Sequence, residues 1–463
     1  MTGTLHRVLA AFRETQRCAN VSPPWCAARS DGLEPGKAPN PAANAPGLSQ
    51  DAGCLSCAPL GDGALDLLPG LQEVTCISNT ATNSEQEAAP GFPPLVLGSL
   101  RVWPPVVLAP MAGVTNYPFR FICRRFGAGL AVSEMVMARP LVERRGKTLK
   151  LAGFGADEKP RSLQLYGVDP WYVGEAVRFL VGEGRVDHLD MNFGCPVRKI
   201  TARGGGAALA LRPRLLGEIL RAAVGAAGDI PVTVKFRLGI DDEHPTYMVT
   251  GRIAEEEGCA AVGLHARTAA QLYGGHARWE AIGELRRAVR IPVMGNGDIW
   301  EGQDGPRMVR ATGCHGVIVG RGALGRPWLF RDLADAFAGH DPAPGPRFGE
   351  VAEIMLEHAE RLAEWLGEAA AMRAFRRHAT WYTKCFRHSA RLRERLSKLE
   401  KLSELRSALQ DCDPSEPFPE TATRVPRGKS ARTQRVSLPP GLLEQPEAQL
   451  VGSEALPGWS DTD

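Results

Sequence analysis

The residues best suited to chemistry stand at the ends of short apolar runs. The plainest case is Leu189-Asp190-Met191-Asn192-Phe193-Gly194-Cys195-Pro196. His188 to Met191 reads as a buried parallel strand. It stops at Asn192-Phe193-Gly194, a cysteine follows, and Pro196 fixes φ so that the strand cannot resume. A cysteine without a disulfide is most often a small buried hydrophobe. Here Gly194, Pro196 and the run Gly204-Gly205-Gly206 instead suggest a shaped, accessible loop. A thiol titrating near ~8.5 is mostly protonated at neutral pH and can serve as a proton donor.

Other polar residues close further apolar runs in the same way. Ala109-Pro110-Met111-Ala112-Gly113 follows one, and Gln164 sits in another that leads to Tyr166-Gly167. Lys235-Phe236-Arg237, His265-Ala266-Arg267, Gly295-Asn296-Gly297-Asp298 and Gly320-Arg321-Gly322 close four more. Singly, each has an ordinary explanation: a turn glycine, a satisfied core histidine, a lysine reaching for solvent. Together they converge if their strands belong to one barrel. The last two, glycine-rich, expose backbone N–H groups of the kind that grip a phosphate, with Arg321 adding a charge-assisted contact. Lys235 suits a developing negative charge, such as that of a reduced flavin.

The elements that must position these residues are eight strand–helix units. The expected strands are 106–109, 130–132, 162–166, 188–191, 232–236, 261–265, 293–295 and 316–319, each followed by a helix-length segment. Such a series over ~240 residues predicts an α/β fold of (β/α)8 barrel type, with polar residues at the C-terminal strand ends forming the catalytic rim. A doubly wound sheet fits less well, because no G-x-G-x-x-G follows the first strand. The barrel is expected over 95–340. Residues 347–412 carry no strand pattern and repeat leucine and alanine at helical spacing, predicting a small all-α unit. Residues 1–94 and 413–463, rich in Pro, Ser, Gly and Glu, read as disordered extensions.

Composition narrows the class further. The chain has 463 residues and a net charge of only +3, so nucleic-acid affinity would need a local patch. No long apolar span predicts a membrane helix, and no continuous apolar segment opens the chain as a secretory signal would. Eleven cysteines, an odd number scattered along the chain, suit a reducing cytoplasm. Cys54-Leu55-Ser56-Cys57 lacks a second pair at zinc spacing, so no metal is expected.

The motif series resembles that of the tRNA-dihydrouridine synthases, and within them the bacterial B-type branch. The likeness rests on Ala109–Gly113, Gln164–Gly167, Asn192–Pro196, Val234–Arg237, His265–Thr268, Gly295–Ile299 and Gly320–Gly322, and runs from about Leu95 to about Cys412. It implies an FMN-dependent enzyme that uses NADPH (or NADH) to reduce the C5=C6 bond of uridine in tRNA, with hydride from flavin N5 to C6 and a proton from Cys195 to C5. It further implies that Pro110, Met111, Ala112, Gln164, Asn192, Lys235, His265, Asn296, Gly297, Asp298, Gly320 and Arg321 hold FMN. Arg237 would face the RNA, and Arg267 flavin or RNA. Ala266 and Cys385 depart from the pattern, standing where glycine is usual.

An RNA partner is also expected from charge. From Arg373 to Lys401 ten basic residues face two acids, 10 − 2 = +8, interleaved with Phe375, Trp381, Tyr382 and Phe386. Cations for phosphates beside aromatics for bases make an RNA-binding composition. Arg377, Lys384, Arg387 and Arg391 are the expected contacts, on a monomeric protein. Another FMN barrel acting on a small enone or pyrimidine is the first alternative; a catalytically inactive RNA-binding protein on a barrel scaffold is the second.

Overall fold

The structure is a computed structural model that describes residues 91–387, 389–428, 433–445 and 447. Residues 1–90 of the expected N-terminal extension, with its C-x-x-C pair, lie outside the described residues. Eight parallel strands close into a barrel: β3 (Val106–Leu108), β4 (Leu130–Met137), β5 (Ser162–Tyr166), β6 (His188–Phe193), β7 (Val232–Arg237), β8 (Ala261–His265), β9 (Val293–Asn296) and β10 (Gly316–Val319), with β10 pairing back to β3. All eight expected strands are present. They read as nearly continuous apolar runs because helices cover their outer face and side chains fill the interior. β4 runs on to Met137 past a register shift between Val132 and Met135. That irregularity breaks the apolar run at Ser133-Glu134, which is why the sequence reading stopped at Val132.

Two short strands were not anticipated. β1 (Leu95–Leu97) and β2 (Leu100–Val102) form an antiparallel hairpin turned at Gly98, whose φ is +59°. Leu95, Leu97 and Val102 pack with the barrel-interior residues Val107, Leu130, Val132, Ala261, Met294 and Ile318. Gly98 approaches Pro231 and Ala260, at the starts of β7 and β8, so the hairpin stoppers the N-terminal end of the barrel. The opposite end is left for the site.

Beyond the barrel, Phe348–Leu366, Glu368–Tyr382, Ser389–Leu396 and Leu402–Gln410 are helices around a second core. Ile122 and Trp328 of the barrel share that core, so the two units meet across an apolar seam. The basic stretch is not one helix. It breaks after Tyr382, where Cys385 takes a left-handed φ of +71°, a conformation that favours glycine. Arg387 therefore precedes the helix that carries Arg391 instead of sharing a face with it.

The segment expected as a disordered tail is in part ordered. Residues 413–428 and 433–445 pack on the barrel and the helical unit, with Arg427 1% exposed and Leu442 buried. Two arginines explain the difference. Arg427 donates to the carbonyls of Ala422, Val425 and Trp381, and Arg424 pairs with Glu301 and Asp304. Anchors of this polar kind leave no apolar periodicity to read.

A buried ion pair fastens the first barrel helix to the segment before β5. The Arg120 guanidinium, on the helix Tyr117–Arg125, meets both oxygens of Glu158 at 2.6 and 2.8 Å, with both side chains 1–2% exposed. Arg120 also donates to the carbonyls of Thr115 and Gly153. Removing one partner of such a pair leaves a charge buried alone. Glu158→Ala is expected to destabilise the protein by about 3–5 kcal/mol, read as a lower denaturation midpoint. A midpoint unchanged from wild type would show that water reaches the arginine.

Candidate active site

β6 brings its polar side chains into the barrel by alternation: Asp190 and Asn192 share a face. Parallel pairing sets Gln164 of β5 opposite Asp190, and Lys235 of β7 opposite Asn192. A buried chain of hydrogen bonds follows. Thr233 Oγ1 donates to Asp190 Oδ1 at 2.7 Å, Gln164 Nε2 to Asp190 Oδ2 at 2.6 Å, and Asn192 Nδ2 to Gln164 Oε1 at 2.7 Å. With its amide orientation fixed, Asn192 Oδ1 accepts the backbone N–H groups of Gly194 and Cys195 at 3.1 and 3.0 Å. The carboxyl at the base of this chain thus orients the loop that carries the thiol. Asp190 was not expected to have a role; its only signal was a carboxylate inside an apolar strand. Burial pushes it up to about 6, while the hydrogen bonds from Thr233 and Gln164 pull the other way.

Arg237 closes the loop from the next strand. Its Nε donates to the Gly194 carbonyl at 3.0 Å and its Nη1 to the Thr268 and Leu272 carbonyls at 3.0 and 2.8 Å. Expected at the RNA, it is 5% exposed, and these three bonds bind it to the loops on either side. Lys235 lines the barrel mouth beside Gly263, where a Cβ would meet Ile318 at 2.7 Å. Burial, reinforced by Arg237, pulls the Lys235 ammonium down to about 8, with Asp190 opposing. It is still largely charged at neutral pH. His265 lies well below its ordinary range because it is buried among Arg237, Lys235, Arg267 and Arg321.

The loops after β9 and β10 form the far wall. Asp298, at φ +56°, holds Arg267 Nη2 with both carboxylate oxygens, at 2.7 and 2.9 Å, and accepts the Ala277 N–H. Gly297 and Gly322 are needed for close approach: a Cβ would come within 2.6 Å of Ala277 and 2.2 Å of the Ile299 carbonyl. Arg321 lies over Tyr273 at 4.7 Å and Trp300 at 5.4 Å. Ala266, where glycine had been expected, is buried with an ordinary backbone, so alanine fits.

These walls enclose a cavity of about 330 Å3 at the C-terminal mouth of the barrel. Every residue expected to hold a cofactor lines it: Pro110, Met111, Ala112, Gln164, Asn192, Lys235, His265, Asn296, Gly297, Asp298, Gly320 and Arg321. Cys195, Arg237, Arg267 and Arg377 line it too. Arg377 reaches it from the helical unit, close over Gly113. Lys384, Arg387 and Arg391 do not; Lys384 instead donates to the Pro426 carbonyl. Of the four interleaved aromatics, Phe375, Tyr382 and Phe386 belong to the helical core, and only Trp381 reaches the cavity. Tyr273, Trp300, Trp381 and Gly428 were missed as lining residues, since none stands at a strand end.

Two buried guanidinium nitrogens, Nη1 of Arg267 and Nη1 of Arg321, have no hydrogen-bond partner among the described residues. Unpaired buried donors are costly. Two of them beside glycine-cleared loops fit a bound phosphate, and the volume falls in the range of about 300–1,000 Å3 usual for cofactor sites. The residues present therefore fit the phosphate of a cofactor.

Residues 107–420 match the model of the family described as dihydrouridine synthase. A probable tRNA-dihydrouridine synthase of Mycobacterium tuberculosis is 50% identical over 374 residues, covering 79% of this chain and 96% of that protein. Its counterpart in Mycobacterium leprae is 49% identical over 371 residues, 74% of this chain and 96% of that one. The tRNA-dihydrouridine synthase B of Xanthomonas axonopodis pv. citri is 38% identical over 304 residues, 66% of this chain and 91% of that one. The chain belongs to the dihydrouridine synthase family and is a tRNA-modifying enzyme built on a (β/α)8 barrel. The expected likeness to the B-type branch holds at 38%, with the mycobacterial proteins more alike still.

Four fully buried histidines carry a consequence for stability. Burial lowers His188 to about 4 and His358 to about 3, and takes His265 and His378 well below their ordinary range. The unfolded chain would protonate them near ~6.5. Their neutral forms are thus fully compatible with the fold above that pH, and each costs stability as pH falls below it, by roughly 1 kcal/mol per pH unit. Asp190, raised to about 6, works oppositely: between pH 6 and its unfolded value the folded state binds the proton first. It offsets about one histidine. Urea midpoints are expected to drop clearly from pH 7 to pH 5; equal midpoints would mean that these rings are hydrated.

Proposed function

We propose that this protein binds FMN at the barrel mouth and reduces the C5=C6 bond of a tRNA uridine to 5,6-dihydrouridine, drawing its electrons from NADPH. The observation that carries the reading is the meeting of Cys195, Lys235, the unpartnered Nη1 atoms of Arg267 and Arg321, and Arg377 of the helical unit in one cavity. When bound, FMN would supply the hydride that goes to C6, and NADPH would restore it. The residues of the chain do the rest. Arg267 and Arg321, with the N–H groups of the loops at Gly297 and Gly322, hold the phosphate. Lys235 offers positive charge where negative charge develops. Cys195, on the loop set by Asn192 and Arg237, holds a proton at Sγ and gives it to C5.

Arg377 and Trp381 line the mouth from the helical unit, and they would receive the RNA. Arg387 and Arg391, exposed further out, would neutralise backbone phosphates. The enzyme would act as a monomer in the cytoplasm; among the described residues no helix is long and apolar enough to cross a membrane.

The direct test compares NADPH oxidation with bulk unmodified tRNA and with free uracil or a simple enone. Turnover on tRNA alone supports the reading, and turnover on the small molecules alone overturns it. Salt tests the footprint. Each phosphate contact contributes about 0.7–0.9 to the slope of log K against log [salt]. Replacing Arg387 and Arg391 by serine is expected to weaken tRNA binding and flatten that slope by about 1.4–1.8, with FMN content unchanged. Equal slopes for both proteins would place the footprint elsewhere.

A further inference from the structure

The family match ends at residue 420, yet the chain beyond it returns to the catalytic rim. It is fastened first to the helical unit and to the loop after β9. Arg326 Nη1 donates to both the Trp300 and Thr423 carbonyls, at 3.0 and 2.6 Å, and Arg427 to the Trp381 carbonyl at 3.2 Å. Gly428 then lies in the cavity wall. Further on, Gln434 reaches the loop of the thiol itself. Its Nε2 donates to the Pro196 carbonyl at 2.8 Å and to the Ala269 carbonyl at 3.2 Å, and its backbone N–H donates to Ala270 at 2.9 Å. Val436 and Leu438 pack on Ala207, Ile240 and Ala269 and keep it there.

We propose that Gln434 is a positioning residue for Cys195. Through one amide group it ties the residue after the thiol, on the loop following β6, to Ala269, on the loop following β8. Asn192 and Arg237 hold the loop from its strand side, at the N–H groups of Gly194 and Cys195 and at the Gly194 carbonyl. Pro196 has no N–H, so its carbonyl is the one backbone hydrogen-bonding group it offers. Gln434 holds that group from the outer side, and Cys195 is thus bracketed between a barrel strand and a segment that the family pattern does not include. A carbonyl accepts readily from an amide N–H but not from a carboxylate or a thioether, so the role belongs to the donor and not to the length of the side chain.

The inference rests on the proton-donor role assigned to Cys195, and the experiment separates the two. Gln434→Met and Gln434→Glu are made in the full chain, alone and combined with Cys195→Ala, and reoxidation of the reduced enzyme by tRNA is followed in single turnover. A misplacement of about 1 Å at a reacting group can cost up to ~10²-fold. Both Gln434 variants are expected to slow reoxidation by roughly tenfold or more, with FMN content, tRNA affinity and thermal midpoint held. In the Cys195→Ala background the same changes are expected to add nothing, because a residue that acts through the thiol has no effect once the thiol is gone. Alkylation of Cys195 by iodoacetamide should also speed up severalfold as the loop loosens. Wild-type reoxidation in Gln434→Met, or an equal slowing in the Cys195→Ala background, overturns the proposal. If Cys195→Ala itself reoxidises at the wild-type rate, the assigned chemistry fails, and that outcome is distinct from a failure of Gln434 alone.

Discussion

Cys195→Ala is expected to retain FMN and its reduction by NADPH while forming dihydrouridine about 10²–10⁴-fold more slowly, the usual cost of removing a positioned acid. The asymmetry follows from where the thiol stands. It sits on the loop beyond β6, held by Asn192, while Arg267 and Arg321, the arginines proposed to hold the phosphate, line the cavity from the loops after β8 and β10. Removing Sγ leaves the Asn192 bonds intact, since these go to backbone N–H groups. The NADPH half-reaction needs no proton at a uracil carbon. Stopped-flow bleaching by NADPH should therefore match wild type, with the loss appearing only on addition of tRNA. Dihydrouridine formed at the wild-type rate would remove Cys195 from the mechanism, and a simultaneous loss of flavin would show that the loop also shapes the cofactor site.

Arg321→Glu is expected to yield a colourless protein. Its Nη1 is buried without a partner among the described residues, and the guanidinium is walled in by Tyr273 and Trp300. A carboxylate in that position would face the proposed phosphate with like charge, in a half-buried setting. Losing a charge-assisted contact and gaining a repulsion should weaken FMN binding on the order of 10²-fold or more. Arg321→Lys keeps the charge but loses the planar fork, and should fall between the two. Bound flavin is read from absorbance after gel filtration and from an FMN titration. Wild-type flavin content in Arg321→Glu would show that Arg321 makes no contact with the phosphate.

The aromatic residues of the helical unit show how composition can mislead. Phe375, Tyr382 and Phe386 alternate with cations in the sequence as an RNA-stacking surface would require, but they lie in the helical core, Phe375 and Tyr382 against His358 and Phe386 against Phe348 and Phe418. A helix places neighbours in sequence on different faces, so proximity along the chain says little about which side chains meet solvent. Arg377 and Trp381, four residues apart, are the pair that face the cavity.

The sequence by itself determined the eight barrel strands, their order, and the residues at their C-terminal ends. It could do so because parallel strands buried on both faces must be apolar throughout, so that each polar residue ending one is conspicuous. The strand-end part of the cavity lining followed, since in a closed barrel all such ends meet at one rim. Only the tertiary structure decided the rest. The three-residue strands of the basal hairpin are too short to show a period. The bonds from Asp190 through Gln164 to Asn192 join neighbouring strands 26 and 28 residues apart in the chain. The unpartnered nitrogens of Arg267 and Arg321 are defined by what surrounds them. The returning segment at Gln434 is held to Pro196 across 238 residues by a single amide. A contact of that kind depends on one hydrogen bond closed in space, and no local pattern of residue types is required to make it.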